Sequence, residues 1–395
     1  MSKIILKKGR DESLRRFHPW VFSGAVASIE GGAPEEGEIV TVYSSSRELL
    51  AAGHYQVGSI SVRVLSFDTS CLMPDFYEQR LSAALAMRRA LLDEADTNCF
   101  RLVHGEGDML PGLIIDYYDG VAVMQAHSAG MFKSRELISK ALQKVFGSEL
   151  KAVYDKSEGT APFKAGLDLG DGYLYVAGEQ PAESVVLENG HKFIVNWEQG
   201  QKTGFFLDQR DNRYSVGAVA AGRCVLNLFC YTGGFSIYAL AGGAKRVDSV
   251  DSSAKAMEMV ERNILLNGFG NVPHENYCCD AIDFLHDVEP GKYDLMIVDP
   301  PAFAKHRGAL NNALRAYQRL NAAAIAKVAP GGIIFTYSCS QVVDKNAFAL
   351  AVFSAAAQTG RKVRILDRLN QPADHPVNIY HPEGEYLKGL VLYVE

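Results

Sequence analysis

The chain has 395 residues, which predicts two or three domains rather than a single hydrophobic core. Its apolar fraction of 48% and charged fraction of 22% are ordinary for a globular protein, and its seven cysteines lack the C-x-x-C spacing of a zinc site or the paired spacing of a disulfide framework. The net charge of −6 argues weakly against a nucleic-acid partner, because phosphate binding favours a basic surface.

The first 75 residues contain short β-prone runs separated by turn signals. These runs are WVFSGAV, GEIVTVYS, LLAAGHYQ and ISVRVLSF. Short strands at this spacing predict a small barrel or sandwich. No signal-peptide pattern follows the first methionine and no apolar stretch approaches membrane-spanning length, so we expect a cytoplasmic protein without a membrane partner.

The same amino-terminal region is locally basic. Its positively charged or titratable residues are Lys3, Lys7, Lys8, Arg10, Arg15, Arg16 and His18, opposed by Asp11 and Glu12. A run of this kind is usually a solvated face, and contact with a polyanion is the alternative.

From Tyr77 onward the pattern becomes helical and then mixed. QRLSAALAMRRALLDEA has apolar residues every three or four positions, and strand-like GLIIDYYDG and VAVMQAH precede the helical KSRELISKALQKVF. Residues 76–183 therefore predict a separate α+β domain.

The remainder of the chain alternates strands with helices. It begins with a hairpin signal at Asn189–Gly190, and then CVLNLF, RVDSVD, YDLMIVDPP and GIIFTYSCS alternate with helical segments. This alternation predicts a doubly wound, mostly parallel sheet from about residue 184, with LVLYV near the end as an edge strand.

Small and acidic residues follow the predicted strands, at the sheet edge where ligands of this fold class bind. Tyr231–Gly234 follows the first strand, where glycines permit a tight turn and close backbone approach to a ligand. The pattern is not G-x-G-x-x-G, which disfavours a dinucleotide dehydrogenase. Asp251 suits the hydroxyls of a ribose or a helix cap, and Asp280 suits an adenine amine or a helix cap.

The fourth and fifth strands end in Asp299–Pro300–Pro301 and in Cys339. A carboxylate at the end of a buried strand needs a partner, and a planar substrate bearing an amine would supply one. Cys339 is either a core residue or a nucleophile facing the ligand crevice. Cys278 and Cys279 lie in a probable strand, and we expect them to pack in the core.

Together these features resemble the S-adenosylmethionine-dependent methyltransferases of the Rossmann-like class. In detail the chain is similar to the PUA-domain-containing ribosomal RNA large-subunit cytosine-5 methyltransferases of the large-subunit methyltransferase I type. The matching motifs run almost end to end and include FHPWVFSGAV, ISVRVLS, RLVHGEGDMLPGLIIDYY, KTGFFLDQRDNR, NLFCYTGGFS, VDSVDSS, DPPAFAK, YSCS and HPEGEYLKGL.

The resemblance implies a multidomain α/β protein. A small PUA-like β-barrel at residues 1–75 would contact RNA, an α+β domain would span 76–183, and a Rossmann-like methyltransferase domain would span 184–395. The substrate would be large-subunit ribosomal RNA. No metal is implied, and monomer and homodimer both stay open.

The resemblance also implies roles for individual residues. S-adenosylmethionine would be held by Gln209, Asn227, Phe229, Tyr231, Thr232, Gly233, Asp251, Asp280 and Ala281. The substrate would contact Pro300, Phe303, Lys305, Tyr386 and Lys388. Cys339 and Asp299 would be catalytic.

The chemistry of cytosine methylation supports a thiol at this rim. C5 of cytosine is a poor nucleophile, and addition of a thiolate at C6 makes it reactive, while a group at the N3/N4 edge stabilises the adduct. Many RNA cytosine-5 methyltransferases carry a second cysteine where this chain has Pro301. The base that removes the C5 proton is open among Lys305, Cys230, His375 and Lys388.

Several other functions are compatible with these motifs. A methyltransferase of uracil C5 would also use the thiol, whereas a guanine-N7 or adenine-N6 enzyme would not need Cys339. A non-catalytic RNA-binding protein with a vestigial methyltransferase domain is the alternative from another class.

Overall fold

A computed structural model describes residues 1–162, 166–181, 183–304 and 306–395. The chain forms two compact units. The first consists of Met1–Val186, Val195–Leu207 and Ala373–Gly384, and the second of Leu187–Ile194, Asp208–Pro372 and Glu385–Glu395. The sequence predicts three consecutive domains, whereas each of these two units combines several separate segments of the chain. The three-domain boundaries therefore stay a prediction.

The first unit begins with a sheet of six strands in its described part. They are β1 (Lys3–Leu6), β2 (Trp20–Phe22), β3 (Val26–Glu30), β4 (Ile39–Tyr43), β5 (Leu49–Tyr55) and β6 (Ile60–Ser66), with the short helix α1 (Glu12–Arg15) after β1. Their order is β2-β6-β5-β4-β1-β3. The alternating apolar residues of these strands bury a small core that includes Ile4, Val40, Val42 and Val62. The predicted β-rich amino-terminal fold is confirmed.

A second sheet of the first unit pairs with helices. Its strands are β7 (Cys99–His104), β8 (Leu113–Tyr118), β9 (Val121–Ala126), β10 (Ala152–Asp155) and β11 (Gly172–Val176), and its helices are α2 (Phe76–Leu91), α3 (Ala129–Lys133) and α4 (Arg135–Phe146). The apolar faces of α2 and α4 pack with this sheet in one core cluster. This is the predicted α+β region.

A hairpin follows, formed by β12 (Ser184–Glu188) and β13 (His191–Val195). Its turn residues, Asn189 and Gly190, have φ values of 48° and 77°. Both values are positive, as the favoured two-residue hairpin turn requires, which confirms the sequence signal.

The second unit contains a sheet of seven described strands. They are β14 (Cys224–Leu228), β15 (Arg246–Asp251), β16 (His274–Cys278), β17 (Leu295–Val298), β18 (Gly332–Ser338), β19 (Val363–Asn370) and β20 (Lys388–Val394). The helices are α5 (Arg210–Val219), α6 (Gly234–Ala241), α7 (Ala254–Leu266), α8 (Ala281–Asp287), α9 (Leu310–Lys327) and α10 (Lys345–Thr359). No helix in the described ranges is both long enough and apolar enough to cross a membrane.

The strand order of this sheet is β16-β15-β14-β17-β18-β20-β19. β14 to β18 are parallel, whereas β20 is antiparallel to both β18 and β19. The order reverses between β14 and β17, which places a ligand crevice beyond their carboxyl ends. The predicted doubly wound, mostly parallel sheet is confirmed.

The prediction that LVLYV forms an edge strand is wrong. It lies in β20, which pairs on one side with β18 and on the other with β19. The edge strand at this end of the sheet is β19, whose residues are mostly exposed, and its weakly apolar sequence gave little sign of a strand. The apolar run of β20 is therefore the pattern of a strand buried on both faces.

Candidate functional site

The loop after β14 adopts a left-handed backbone at two residues that carry side chains. Phe229 has a φ of 58° and Tyr231 a φ of 47°. This conformation costs about 1–2 kcal/mol for a residue with a Cβ. Two bonds from β15 hold it in place: the Cys230 N–H donates to the Val250 carbonyl at 3.0 Å, and the Tyr231 N–H donates to Asp251 Oδ2 at 3.0 Å. Strain held in this way concentrates at ligand sites, so the loop is a candidate binding element.

The two glycines of this loop make room for neighbouring helices. Gly233 has a φ of 82°, and a Cβ there would lie 3.1 Å from the Val260 side chain. A Cβ on Gly234 would lie 2.9 Å from Cδ of Arg213, which forms a buried ion pair with Glu188 at 2.6 Å. Close packing against α5 and α7 therefore requires glycine at these two positions, in addition to any requirement from the approach of a ligand.

Asp251 joins the loop to the start of α7. Its Oδ2 accepts the Tyr231 N–H, and its Oδ1 accepts the Ser253 N–H at 3.0 Å. Ser253 is the N-cap residue of α7, and its Oγ accepts from the Ala256 N–H. The helix-cap role considered for Asp251 therefore belongs to Ser253. Each oxygen of the half-buried Asp251 carboxylate has a further lone pair for a ligand hydroxyl.

Asp280 caps α8, as one of its two predicted roles requires. Its Oδ1 accepts the Ile282 N–H at 2.8 Å and the Asp283 N–H at 3.1 Å. The Asp280 side chain is exposed, and Ala281, the first residue of α8, is buried. A carboxylate has two oxygens, so capping through Oδ1 is compatible with an amine donor at Oδ2.

Asn227 lies inside the sheet rather than on its rim. It is fully buried, and its Nδ2 donates to Ser236 Oγ at 2.9 Å, which in turn bonds Ser249 Oγ at 2.7 Å. Its Oδ1 has no hydrogen-bond partner among the described residues. On the loop itself, the Thr232 carbonyl accepts from Asn263 Nδ2 at 2.9 Å.

Gln209, predicted to help hold the cofactor, contacts the carboxylate predicted to hold the substrate. Its Nε2 donates to Asp299 Oδ2 at 2.8 Å, and its Oε1 accepts from Asn212 Nδ2 at 2.5 Å. Gln209 is 4% exposed, so these bonds fix the orientation of the amide. The contact gives Asp299 the polar partner that a carboxylate at a buried strand end requires.

The ends of β17 and β18 meet around one tyrosine. The phenol of Tyr317 on α9 accepts from Ser338 Oγ at 2.9 Å, and its ring lies 4.8 Å from that of Phe303. Burial raises the pKa of Tyr317 to about 12, and the charges of Cys339 and Asp299 contribute to the shift. Both predicted catalytic side chains therefore lie within electrostatic reach of the same neutral hydroxyl.

Lys388 lies beside Cys339. It opposes Ser338 in the β18–β20 register, and its Nζ donates to the Ser340 carbonyl at 2.6 Å and to the Val343 carbonyl at 2.5 Å. Burial lowers the pKa of Lys388 to about 8, and interaction with the Cys339 thiolate favours the charged form. This interaction is reciprocal, so the ammonium favours ionisation of the Cys339 thiol.

The cysteines near the rim have different environments. Cys230 is buried, and burial, reinforced by the Asp251 carboxylate, raises the pKa of its thiol well above the ordinary value. Cys339 is half-buried beside a cation. Core packing was wrongly predicted for Cys278, which is exposed because β16 is an edge strand. The prediction is confirmed for Cys279, which is half-buried and packs against the core cluster of the second unit.

The remaining predicted residues have the following surroundings. Tyr386 donates its hydroxyl to Asp208 Oδ2 at 2.6 Å, and Pro300 is buried next to Asp299. His375 belongs to the first unit, where it is buried against Asp374. Lys305 lies outside the described residues.

The basic run at the amino terminus is partly neutralised. Arg15 pairs with Asp11 at 2.7 Å and also with Glu48, and Arg16 pairs with Glu12 at 2.5 Å. Glu48 immediately precedes β5, and its contact with Arg15 joins residues 33 positions apart that local sequence does not link. Contact of this surface with a polyanion stays a prediction.

The structure contains a cluster of potential metal ligands that the sequence did not predict. In the first unit, side-chain atoms of His18, His381 and Glu383 lie within 4.8 Å of one another. However, His18 Nδ1 accepts the Trp20 N–H at 3.2 Å, so the neutral ring carries its proton on Nε2. In this arrangement neither nitrogen of His18 offers a lone pair to a cation.

Comparisons with known proteins identify the family of the chain. Residues 101–389 match the model of an S-adenosylmethionine-dependent methyltransferase family, and residues 4–67 match a PUA-like domain. The chain is 41% identical to ribosomal RNA large subunit methyltransferase I of Alteromonas mediterranea, covering 100% of this chain and 99% of that protein. It is also 41% identical to the protein of the same name from Photobacterium profundum, with full coverage of both.

A crystal structure of a methyltransferase in complex with S-adenosylhomocysteine has a similar fold. Its TM-score is 0.85 at 23% identity, with 100% of both chains covered. The similarity extends over both units of the chain.

Proposed function

Because the chain belongs to the ribosomal RNA large subunit methyltransferase I family of S-adenosylmethionine-dependent methyltransferases, we propose that it methylates C5 of a cytosine in large-subunit ribosomal RNA. The observation that carries the choice of C5 is the position of Lys388, which pairs in register with Ser338 at the carboxyl end of β18 and interacts electrostatically with the neighbouring Cys339. Methylation of an exocyclic amine or of guanine N7 does not require a nucleophilic thiol. This substrate would place the enzyme in the cytoplasm.

The residues around the β14 loop fit S-adenosylmethionine. The constrained backbone at Phe229 and Tyr231 and the unfilled acceptor capacity of Asp251 suit the amino acid and ribose parts of the cofactor. Asp280 has a second carboxylate oxygen for the adenine amine. Gln209 would orient Asp299, and the second N–H and second lone pair of its amide stay available to the cofactor. When bound, S-adenosylmethionine supplies the electrophilic methyl group.

Cys339 and Asp299 would act on the cytosine. The Cys339 thiolate adds to C6, which moves an electron pair to C5 and makes it nucleophilic. Asp299, oriented by Gln209, would bind the N3/N4 edge as the carboxylic acid and transfer its proton to N3 as the thiolate adds, which neutralises the charge of the adduct. Its carboxylate would then accept hydrogen bonds from N3–H and from the N4 amine, and would take the N3 proton back when the thiolate leaves. After C5 is methylated, a base removes its proton and the C6–S bond breaks.

Lys388 would stabilise the thiolate rather than remove the C5 proton. With a pKa of about 8 it is mostly charged near neutral pH, and its Nζ is held by two carbonyls. A charged ammonium cannot accept a proton, so its electrostatic effect on Cys339 is the role that these contacts support.

RNA that carries 5-fluorocytosine in place of cytosine tests this mechanism. Fluorine at C5 cannot leave as a proton does, so elimination stalls and a covalent complex should survive a denaturing gel. The complex should require S-adenosylmethionine, form with Cys230→Ala and be absent with Cys339→Ala. The methylated nucleoside should be identified by mass spectrometry.

Two results would contradict the proposal. A covalent complex that persists in Cys339→Ala would assign the nucleophile elsewhere. If the product contained methylated uracil, guanine or adenine and no methylated cytosine, the protein would be a ribosomal RNA methyltransferase with a different base specificity.

A further inference from the structure

A pocket in the second unit lies between α10, β19 and β20. It encloses about 270 Å³. The residues that determine its chemistry are Lys345 and Phe348 of α10, Arg368 and Leu369 of β19, and Lys388 of β20. None of the roles assigned above uses Lys345 or Arg368.

The pocket adjoins the proposed nucleophile. Lys388 pairs in register with Ser338 on one side and with Asn370, a lining residue, on the other. The pocket therefore lies at the sheet edge where β18 ends and Cys339 follows. Lys388 belongs to both sites, because it lines the pocket and interacts electrostatically with Cys339.

Three cationic side chains favour an anionic ligand. The Nζ of Lys345 pairs with Glu385 at 2.5 Å, and Lys388 is bonded to two carbonyls. Arg368 is exposed and has no carboxylate partner in the described part of the chain. Lys345 is also the first residue of α10, whose positive dipole end faces the same region. Arg368 is thus the guanidinium available to a phosphate.

The rest of the lining is apolar. Phe348 is buried, and Leu369 is half-buried between Arg368 and Asn370. This wall suits the sugar or base of a nucleotide, whereas an inorganic anion would gain nothing from it. The volume is close to the lower end of ligand sites, roughly 300 Å³, and suits a single nucleotide better than a larger ligand.

We propose that this pocket binds the nucleotide that flanks the target cytosine in the RNA, with its phosphate on Arg368 and its sugar or base against Leu369. The inference rests on the proposed function, since it requires an RNA substrate at Cys339. It gives the enzyme a contact with the RNA backbone that fixes the register of the strand beside the nucleophile. A phosphate in the pocket would also favour the charged form of Lys388 and so the thiolate of Cys339.

Substitution of Arg368 provides a test with a matched control. Arg364 lies on the same strand and is also exposed, but it pairs with Glu395 and does not line the pocket. Loss of that exposed ion pair should have little effect on stability. The full-length wild type, Arg368→Ala, Arg368→Lys and Arg364→Ala would be titrated with a transcribed large-subunit ribosomal RNA fragment at several salt concentrations.

We expect Arg368→Ala to weaken RNA binding by about tenfold, as loss of a hydrogen bond to a charged group does. The slope of log K against log salt should fall in magnitude by about 0.7, the value for one phosphate contact on a single strand. Arg368→Lys should restore the slope because it restores the charge. Arg364→Ala should match the wild type, and S-adenosylhomocysteine affinity by calorimetry should be the same in all four proteins.

The outcomes separate this inference from the proposed function. If the wild type methylates cytosine in the RNA but Arg368→Ala binds that RNA with unchanged affinity and an unchanged salt slope, only the pocket assignment is overturned. Equal losses in Arg368→Ala and Arg364→Ala would also overturn it, since they would indicate a diffuse effect of positive charge. A wild-type protein that neither binds nor methylates the RNA would overturn both proposals.

Discussion

The carboxyl ends of β14 and β18 each present a cysteine beside tyrosine and small residues, yet the two sites differ in chemistry. Cys230 follows β14 in FCYTGG, is buried, and lies near the Asp251 carboxylate, which opposes a thiolate. Cys339 follows β18 in YSCSQ, is half-buried, and interacts with the Lys388 ammonium, which favours one. Neighbouring charge and solvent access are the features that control the reactivity of a thiol, and both differ between these two cysteines.

The largest difference should appear in turnover. We expect Cys339→Ser to lose activity by on the order of 10⁴-fold, because a hydroxyl is far less ionised than a thiol near neutral pH. Cys230→Ser should keep most of its activity. Methyl transfer from labelled S-adenosylmethionine to ribosomal RNA measures both, and comparable losses in the two variants would remove the distinction between the sites.

The β14 end should instead control cofactor affinity. Asp251→Ala should weaken S-adenosylhomocysteine binding by about 1–3 kcal/mol, because it removes the proposed ribose acceptor and leaves the Tyr231 N–H without its partner. Calorimetry measures this change. Ser253→Ala is the control, since it removes only the α7 cap and should lower stability without altering affinity. Unchanged affinity in Asp251→Ala would restrict that carboxylate to a structural role.

The smallest effect concerns the reactivity of the thiol itself. Lys388→Gln should slow alkylation of Cys339 by iodoacetamide about tenfold near pH 7, because one neighbouring charge changes a thiol pKa by about one unit. The effect should depend on pH, because Lys388 is charged below its pKa of about 8 and neutral above it. The ratio of the wild-type alkylation rate to the variant rate should therefore be largest below pH 8 and decline above it.

Peptide mass spectrometry of the same samples supplies the internal control. Cys230 should stay unmodified in wild type and variant alike, since it is buried. Lys388→Arg, which keeps the charge, should retain most of the Cys339 reactivity. A ratio that does not change with pH would mean that Lys388 acts through packing of the loop and not through its charge.

The architecture was predictable because hydrophobic periodicity and turn chemistry are local signals. The alternation of strands and helices after residue 184 predicted the parallel sheet, and Asn189–Gly190 predicted the hairpin turn. The position of Asp299 and Cys339 at neighbouring strand ends followed from the fold class, since the carboxyl ends of parallel strands share one edge. The residue roles carried over from the family stay predictions.

The sequence by itself therefore determined most of the elements, β19 excepted, and which side chains follow the strands. Only the tertiary structure decided what those side chains touch. Lys388 lies beside Cys339 because β20 inserts between β18 and β19, an order that the apolar pattern of β20 does not encode. Gln209 bonds Asp299 across a separation of 90 positions, and Gly234 accommodates Arg213 of another helix. Such contacts depend on how complete elements pack. Local propensity is set by near neighbours, while the charge and burial that tune Cys339 and Cys230 come from residues distant along the chain.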